Sequence, residues 1–149
     1  MRSEKVTYYS EGDKIGGVVY LPDGEKGKPW PAIVQGPGFL GLKDAKHYVM
    51  MYEMLCGAGY ACLAFDYRGW GDSEGKNRGW VMPKWQAEDI RNSITYLQTR
   101  EDVDPNRIAT FGSGGRVAAM PFWWEPSTLG LNASCVTSES VTAGTGFTA

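Results

Sequence analysis

The chain has 149 residues, 15 Lys and Arg against 17 Asp and Glu, and a formal net charge of -2. That acidic balance leaves no electrostatic footprint for DNA or RNA, and no apolar run approaches the ~20 residues a membrane span needs. With 42% hydrophobic and 21% charged residues, the composition is that of one globular domain with a real core.

The opening Met1-Arg2-Ser3-Glu4-Lys5 has no apolar signal core, so the expected location is cytoplasmic. Residues 6–9 and 15–21 are β-rich runs separated by the turn cluster Ser10-Glu11-Gly12-Asp13, which reads as an antiparallel hairpin. A polar loop over 22–29 leads to Pro31-Ala32-Ile33-Val34-Gln35, a short apolar run suited to a central strand. Gly36-Pro37-Gly38-Phe39-Leu40-Gly41 follows as a loop in which glycine lets backbone approach a ligand closely.

Residues 46–56 place Tyr48, Val49, Tyr52 and Leu55 at helical spacing, with Gly57 as the expected stop. Residues 60–65 read as another buried strand, and 66–75 as a loop crowded with glycine and charge. Residues 83–100 form a helix with Ala87, Ile90, Ile94 and Leu97 on one face and Asp89, Arg91 and Asn92 off it. The cluster Asp102-Val103-Asp104-Pro105-Asn106 reads as a turn feeding a strand at 107–111, which runs into Gly112-Ser113-Gly114-Gly115. A hairpin followed by strand, helix, strand, helix, strand is the pattern of an α/β, mostly parallel sheet with crossover helices. Cys56, Cys62 and Cys135 include no C-x-x-C pair and read as buried free thiols, neither a disulfide framework nor a zinc site.

Three stretches resemble the α/β-hydrolase superfamily, with dienelactone-hydrolase-like and acyl-peptidase-like esterases as its nearest members. They are Gly38-Phe39-Leu40-Gly41-Leu42-Lys43-Asp44, the run from Phe65 through Asp66-Tyr67-Arg68-Gly69-Trp70-Gly71-Asp72-Ser73 to Gly75, and Asp89-Ile90-Arg91 with Asp104-Pro105-Asn106-Arg107-Ile108. The resemblance covers about residues 5–115 and makes residues 1–115 the N-terminal part of that fold, with helices on both faces of the sheet. It implies acyl transfer through a covalent acyl-enzyme, with a small ester or acyl compound as substrate and neither metal nor organic cofactor. It implies Ser113 as the candidate nucleophile, with the N–H groups of Phe39 and Gly114 as oxyanion-hole donors.

The chain departs from the family pattern at the elbow and at the histidine. The elbow pattern G-x-S-x-G meets Gly112-Ser113-Gly114-Gly115: either the turn is one residue short and Ser113 serves, or the nucleophile is absent. His47 is the one histidine, near a helix start, whereas the family places acid and histidine after the serine. Glu125 and Glu139 therefore have no histidine to orient, and Asp66 and Asp72 read as groups that brace a loop through backbone hydrogen bonds. Phe39, Trp70, Trp80 and Trp85 either line an apolar pocket or serve as ordinary packing and loop anchors.

Residues 116–149 are rich in Ser, Thr, Gly and Ala without a clean period and read as an irregular tail. Read through the genetic code two bases out of register, Met120-Pro121 gives Ala, Phe122-Trp123 Leu, Trp123-Trp124 Val and Trp124-Glu125 Gly. The flanking codons permit Gly-Gly-Gly-Asn-Ala-Leu-Leu-Val-Gly-Ala, a glycine-tight elbow entering an apolar helix. The expectation is an out-of-frame segment after about Gly115 and a hydrolase half that is inactive as it stands. Two other readings remain. One is a non-catalytic α/β fragment that self-associates or binds a partner through an open sheet edge. The other, a nucleotide-binding half, lacks the G-x-G-x-x-G spacing and a P-loop lysine.

Overall fold

The computed structural model describes residues 1–24, 29–38 and 42–112, and the backbone of Cys135–Thr137. The chain opens with β1 (Arg2–Ser10) and β2 (Asp13–Leu21), paired antiparallel from Arg2↔Leu21 to Ser10↔Asp13. Glu11 and Gly12 between them both have positive φ, 49° and 92°. That is the requirement of a two-residue hairpin turn whose twist matches its strands. Val6, Tyr8 and Ser10 on β1 and Ile15, Val19 and Leu21 on β2 alternate inward, the period of a sheet with one face on the core.

Then come β3 (Trp30–Gly36), α1 (Lys46–Gly57), β4 (Ala61–Phe65), α2 (Pro83–Gln98), β5 (Val103–Gly112) and β6 (Cys135–Thr137). They form one six-stranded sheet in the order β1-β2-β4-β3-β5-β6. β3 runs parallel to both β4 and β5, and β6 parallel to β5, while β2 meets β4 antiparallel. The antiparallel hairpin therefore extends an otherwise parallel sheet.

Every residue of β4 is buried, because a helix covers each side of it. Ala61, Leu63 and Phe65 pack with Ile90, Ile94 and Leu97 of α2. Cys62 and Ala64 face the other way, onto Tyr48, Tyr52 and Cys56 of α1. Burying apolar surface at ~25 cal/mol per Å² on both faces is what holds such a central strand. Cys56 and Cys62 are buried and not disulfide-bonded, as expected; the side chain of Cys135 lies outside the described residues.

Several local expectations are corrected. Gly57 is the last residue of α1 and does not stop it; Gly59, at φ 88°, does. The Gly59 N–H donates to the Cys56 carbonyl and the Tyr60 N–H to the Leu55 carbonyl, both at 3.0 Å, the bond pair that closes a helix on a left-handed residue. β5 begins at Val103, before the expected turn ends: Trp30 pairs with Val103 and Ala32 with Ile108, so an irregularity within the strand absorbs residues 104–107. Asp89, assigned to the polar side of α2, is fully buried. Within 116–149, read as irregular, Cys135–Thr137 pairs with Thr110–Gly112, so that stretch of the outer edge of β5 is covered.

Candidate active site at the carboxyl edge of the sheet

Because β3, β4 and β5 are parallel, their carboxyl ends gather at one edge of the sheet, where α/β proteins place their ligands. Gly36, the last residue of β3, pairs with Gly112, the last of β5. The chain segments that follow β3 and β5 thus leave from neighbouring strand tips. Phe39, Ser113 and Gly114 lie outside the described residues, and Gly38 and Gly112 are the nearest described positions to them.

The loop after β3 is fastened at both described ends. The Gly38 N–H donates to the Tyr48 hydroxyl of α1 at 2.9 Å. At the other end the Lys43 N–H donates to Asp66 Oδ1 at 2.9 Å, and Lys43 Nζ donates to Asp66 Oδ2 at 2.5 Å and Asp72 Oδ2 at 2.7 Å. The Tyr52 hydroxyl lies 2.9 Å from Gln35 Oε1 and 3.3 Å from the Lys43 carbonyl, and Gln35 Nε2 donates to the Gly36 carbonyl at 3.1 Å. Burial of Lys43 works against its charge, but the bonds to Asp66 and Asp72 outweigh it and hold the amine above its ordinary pKa. The same Lys43 bond holds the Asp72 carboxyl below the usual carboxylate value.

The loop after β4 is braced from within. Asp66 Oδ2 also accepts the Asp72 N–H at 3.1 Å. Gly71, at φ 46°, passes so close that a Cβ there would stand 2.2 Å from Asp66 Oδ2, so glycine is needed on both counts. The Ser73 hydroxyl donates to the Asp66 carbonyl at 2.6 Å and accepts the Gly16 N–H at 2.9 Å, tying the loop to β2. Asp66 thus braces the loop through backbone N–H groups, as read from the sequence, whereas the Asp72 carboxylate bonds the Lys43 ammonium rather than backbone. Lys43, which had been assigned no role of its own, is the cation between them.

The β4 loop is tied to α2 by a second buried charge cluster. Arg68 donates through Nε to Asp89 Oδ1 at 2.6 Å and through Nη2 to Glu88 at 2.8 Å and the Trp85 carbonyl at 3.1 Å. The Arg68 N–H reaches Asp89 Oδ2 at 3.0 Å, and the Ser10 hydroxyl donates to Asp89 Oδ1 at 2.6 Å. Burial raises the Asp89 carboxyl even so, with the Ser10 and Arg68 bonds opposing it. An apolar-periodicity reading cannot find such a residue, since a fully paired buried carboxylate and an exposed one look alike in sequence.

Among the tryptophans, Trp70 packs on the core and donates from Nε1 to the Trp80 carbonyl at 2.9 Å. Trp85 lies beneath the Arg68 guanidinium, 5.8 Å from its ring centre. Trp80 is 61% exposed. His47 is exposed in the first turn of α1, its ring 4.0 Å from that of Tyr48. Among the described residues no cluster of three or more His, Cys, Asp or Glu is placed to hold a metal, and no helix is long and apolar enough to cross a membrane.

Residues 11–115 match the profile of the X-Pro dipeptidyl-peptidase (S15 family). The chain is 35% identical over 117 residues to the quorum-quenching protein AidA of Acinetobacter baumannii, covering 76% of this chain and 38% of that protein. It is 36% identical over 121 residues to the thiohydrolase apmlB of Arthrinium phaeospermum, covering 78% of this chain and 37% of that one. Among solved structures it is similar to the alpha/beta hydrolase GrgF from Penicillium sp. sh18, at 26% identity and TM-score 0.69, over 75% of this chain and 37% of that one. The chain thus spans less than two-fifths of the length of each of these relatives. By the profile match and the shared fold, the chain belongs to the S15 family of X-Pro dipeptidyl-peptidases, within the α/β hydrolases.

Proposed function

We propose that this chain is the N-terminal part of a serine hydrolase of esters or related acyl bonds, without turnover in its present form. The pairing of Gly36 with Gly112 carries the reading. It starts the loop bearing Phe39 and the turn bearing Ser113 and Gly114 from adjacent strand tips, as a nucleophile and its two oxyanion donors require. A relative named as a thiohydrolase fits the same chemistry.

In the proposed reaction a serine Oγ at the elbow attacks the acyl carbon, and the Phe39 and Gly114 N–H groups receive the charge that develops on the carbonyl oxygen. The tetrahedral intermediate collapses by breaking the bond to the alcohol or thiol, which leaves with the serine's proton. Water then adds to the acyl-enzyme and releases the carboxylic acid and free serine. The serine proton needs a base, and His47 is the chain's one histidine, exposed on α1. The base and its acid belong to the continuation that the shifted reading after about Gly115 points to.

The test is to sequence the nucleotides for residues 112–149 and express both versions. The proposal expects an open shifted frame that leads to a later acid and histidine. It expects the restored protein to hydrolyse p-nitrophenyl acetate and to be labelled by a fluorophosphonate at its elbow serine, while the present chain does neither. A shifted frame closed by stop codons, or turnover by the present chain that Ser113→Ala abolishes, would overturn it.

A second reading is a non-catalytic unit that associates through the sheet. Among the described residues, β6 pairs with β5 only at Thr110–Gly112, and an unpaired parallel edge invites another strand. A sedimentation coefficient that does not change with concentration would sink it.

A further inference from the structure

We propose that Tyr48 and Lys43 are positioning residues that set where the loop after β3 sits over the carboxyl edge. The proposal rests on the hydrolase reading, in which that loop carries an oxyanion donor. Both described ends of the loop are held by groups from other elements. Gly38 is held by Tyr48 of α1 at 2.9 Å. Lys43 is held through backbone and side chain by Asp66 at the tip of β4 and by Asp72.

Among the described residues of the segment, the local bond is from the Ala45 N–H to the Leu42 carbonyl at 3.2 Å, and it cannot fix the loop's place over the sheet. The Lys43 side chain is 9% exposed and that of Asp66 1%. A buried ion pair is weak evidence for stability, because apolar residues of equal volume often serve as well. An ammonium held by two carboxylates does fix a direction and a distance, which apolar packing does not.

The Tyr48 bond has a second consequence. The Gly38 N–H is already committed, so it cannot serve an oxyanion. The donor must be an amide further along, which agrees with Phe39 in that role.

Amide hydrogen exchange on the present chain tests the proposal without any catalytic readout, so it can fail or hold independently of the hydrolase reading. Tyr48→Phe should speed exchange at Gly38 about fivefold to tenfold, the scale of one lost hydrogen bond, and leave β4 and α2 amides unchanged. Lys43→Met should speed position 43 and Gly38 together, and Lys43→Arg, which keeps the charge between Asp66 and Asp72, should restore most of the protection. Unchanged Gly38 exchange in Tyr48→Phe would overturn the proposal. So would equal effects of Met and Arg at position 43, or acceleration spread evenly over α2 and β4.

Discussion

The two loops that leave the tips of β3 and β4 lie against each other and are held in different ways. The loop after β4 is braced from within as well as from β2 and α2: Gly71 passes against Asp66, Ser73 bonds the Asp66 carbonyl, and the Gly69 N–H reaches the Glu74 carbonyl at 2.7 Å, while Ser73 also holds Gly16 and Arg68 holds Asp89. The loop after β3 borrows its anchors from Tyr48, Asp66 and Asp72. A loop with braces of its own is specified in part by its own sequence, and its shape survives small movements of its neighbours. A borrowed one inherits its position from elements distant in sequence, so changes outside it can move it. That makes the β4 loop the reference surface and the β3 loop the adjustable part of the edge.

Asp66 belongs to both loops, so Asp66→Ala should be the most damaging change. It removes the acceptor for the Lys43 N–H, Lys43 Nζ and the Asp72 N–H and leaves a buried ammonium with one partner, at a cost of about 3–5 kcal/mol. Denaturant midpoints would measure it, and a loss below about 1 kcal/mol would mean the loops do not share this node. Gly71→Ala strikes the β4 loop first, through a positive φ and the contact with Asp66, and reaches the β3 loop by displacing the carboxylate that holds Lys43. It should cost about 1–3 kcal/mol, with exchange at Lys43 quickened more than at Gly38.

Tyr48→Phe strikes the β3 loop through the bond to Gly38 and should cost about 1 kcal/mol of stability. A much larger loss would mean that Tyr48 supports the core through its hydroxyl as well as the loop. Trp80, 61% exposed, separates contact from position. Trp80→Ala keeps the carbonyl that Trp70 uses and should shift stability by less than about 0.5 kcal/mol.

Acid should tell the two charge clusters apart. The Asp72 carboxyl is lowered by Lys43, so its contribution is complete above the unfolded carboxylate pKa near ~4 and is lost as pH falls below that value. The Asp89 carboxyl is raised by burial, so its contribution has the opposite sign: full at low pH and lost as pH rises through the raised value. Acidification should therefore loosen the Lys43 end of the β3 loop while the Asp89 cluster on α2 holds. Exchange at Lys43 and at Arg68, followed from pH 6 downward, would show it. Equal loss at both amides would contradict the assignment, and Asp72→Asn should flatten the response at Lys43.

The alternating runs of β1 and β2, the stripe of Ile90, Ile94 and Leu97, and the short apolar strands made the hairpin and the parallel α/β order legible in the sequence. These signals are local: each repeats at the period of its own element and needs no knowledge of what packs against it. The hydrolase family was legible for the same reason, since its motifs are contiguous. Tyr48 was read only as an apolar helix position, Lys43 only as part of a motif, and Asp89 as a polar face residue.

The amino-acid order by itself thus determined the first five strands, both helices and their order along the chain, but not β6. Only the tertiary structure decided which charges are buried, that Gly36 and Gly112 end side by side, and that Tyr48 and Lys43 hold the described ends of the β3 loop. The physical reason is that burial and pairing of a polar group depend on the distance and dielectric around it. The partners that set those come from other elements: Asp66 stands 23 residues from Lys43, and Ser10 stands 79 residues from Asp89.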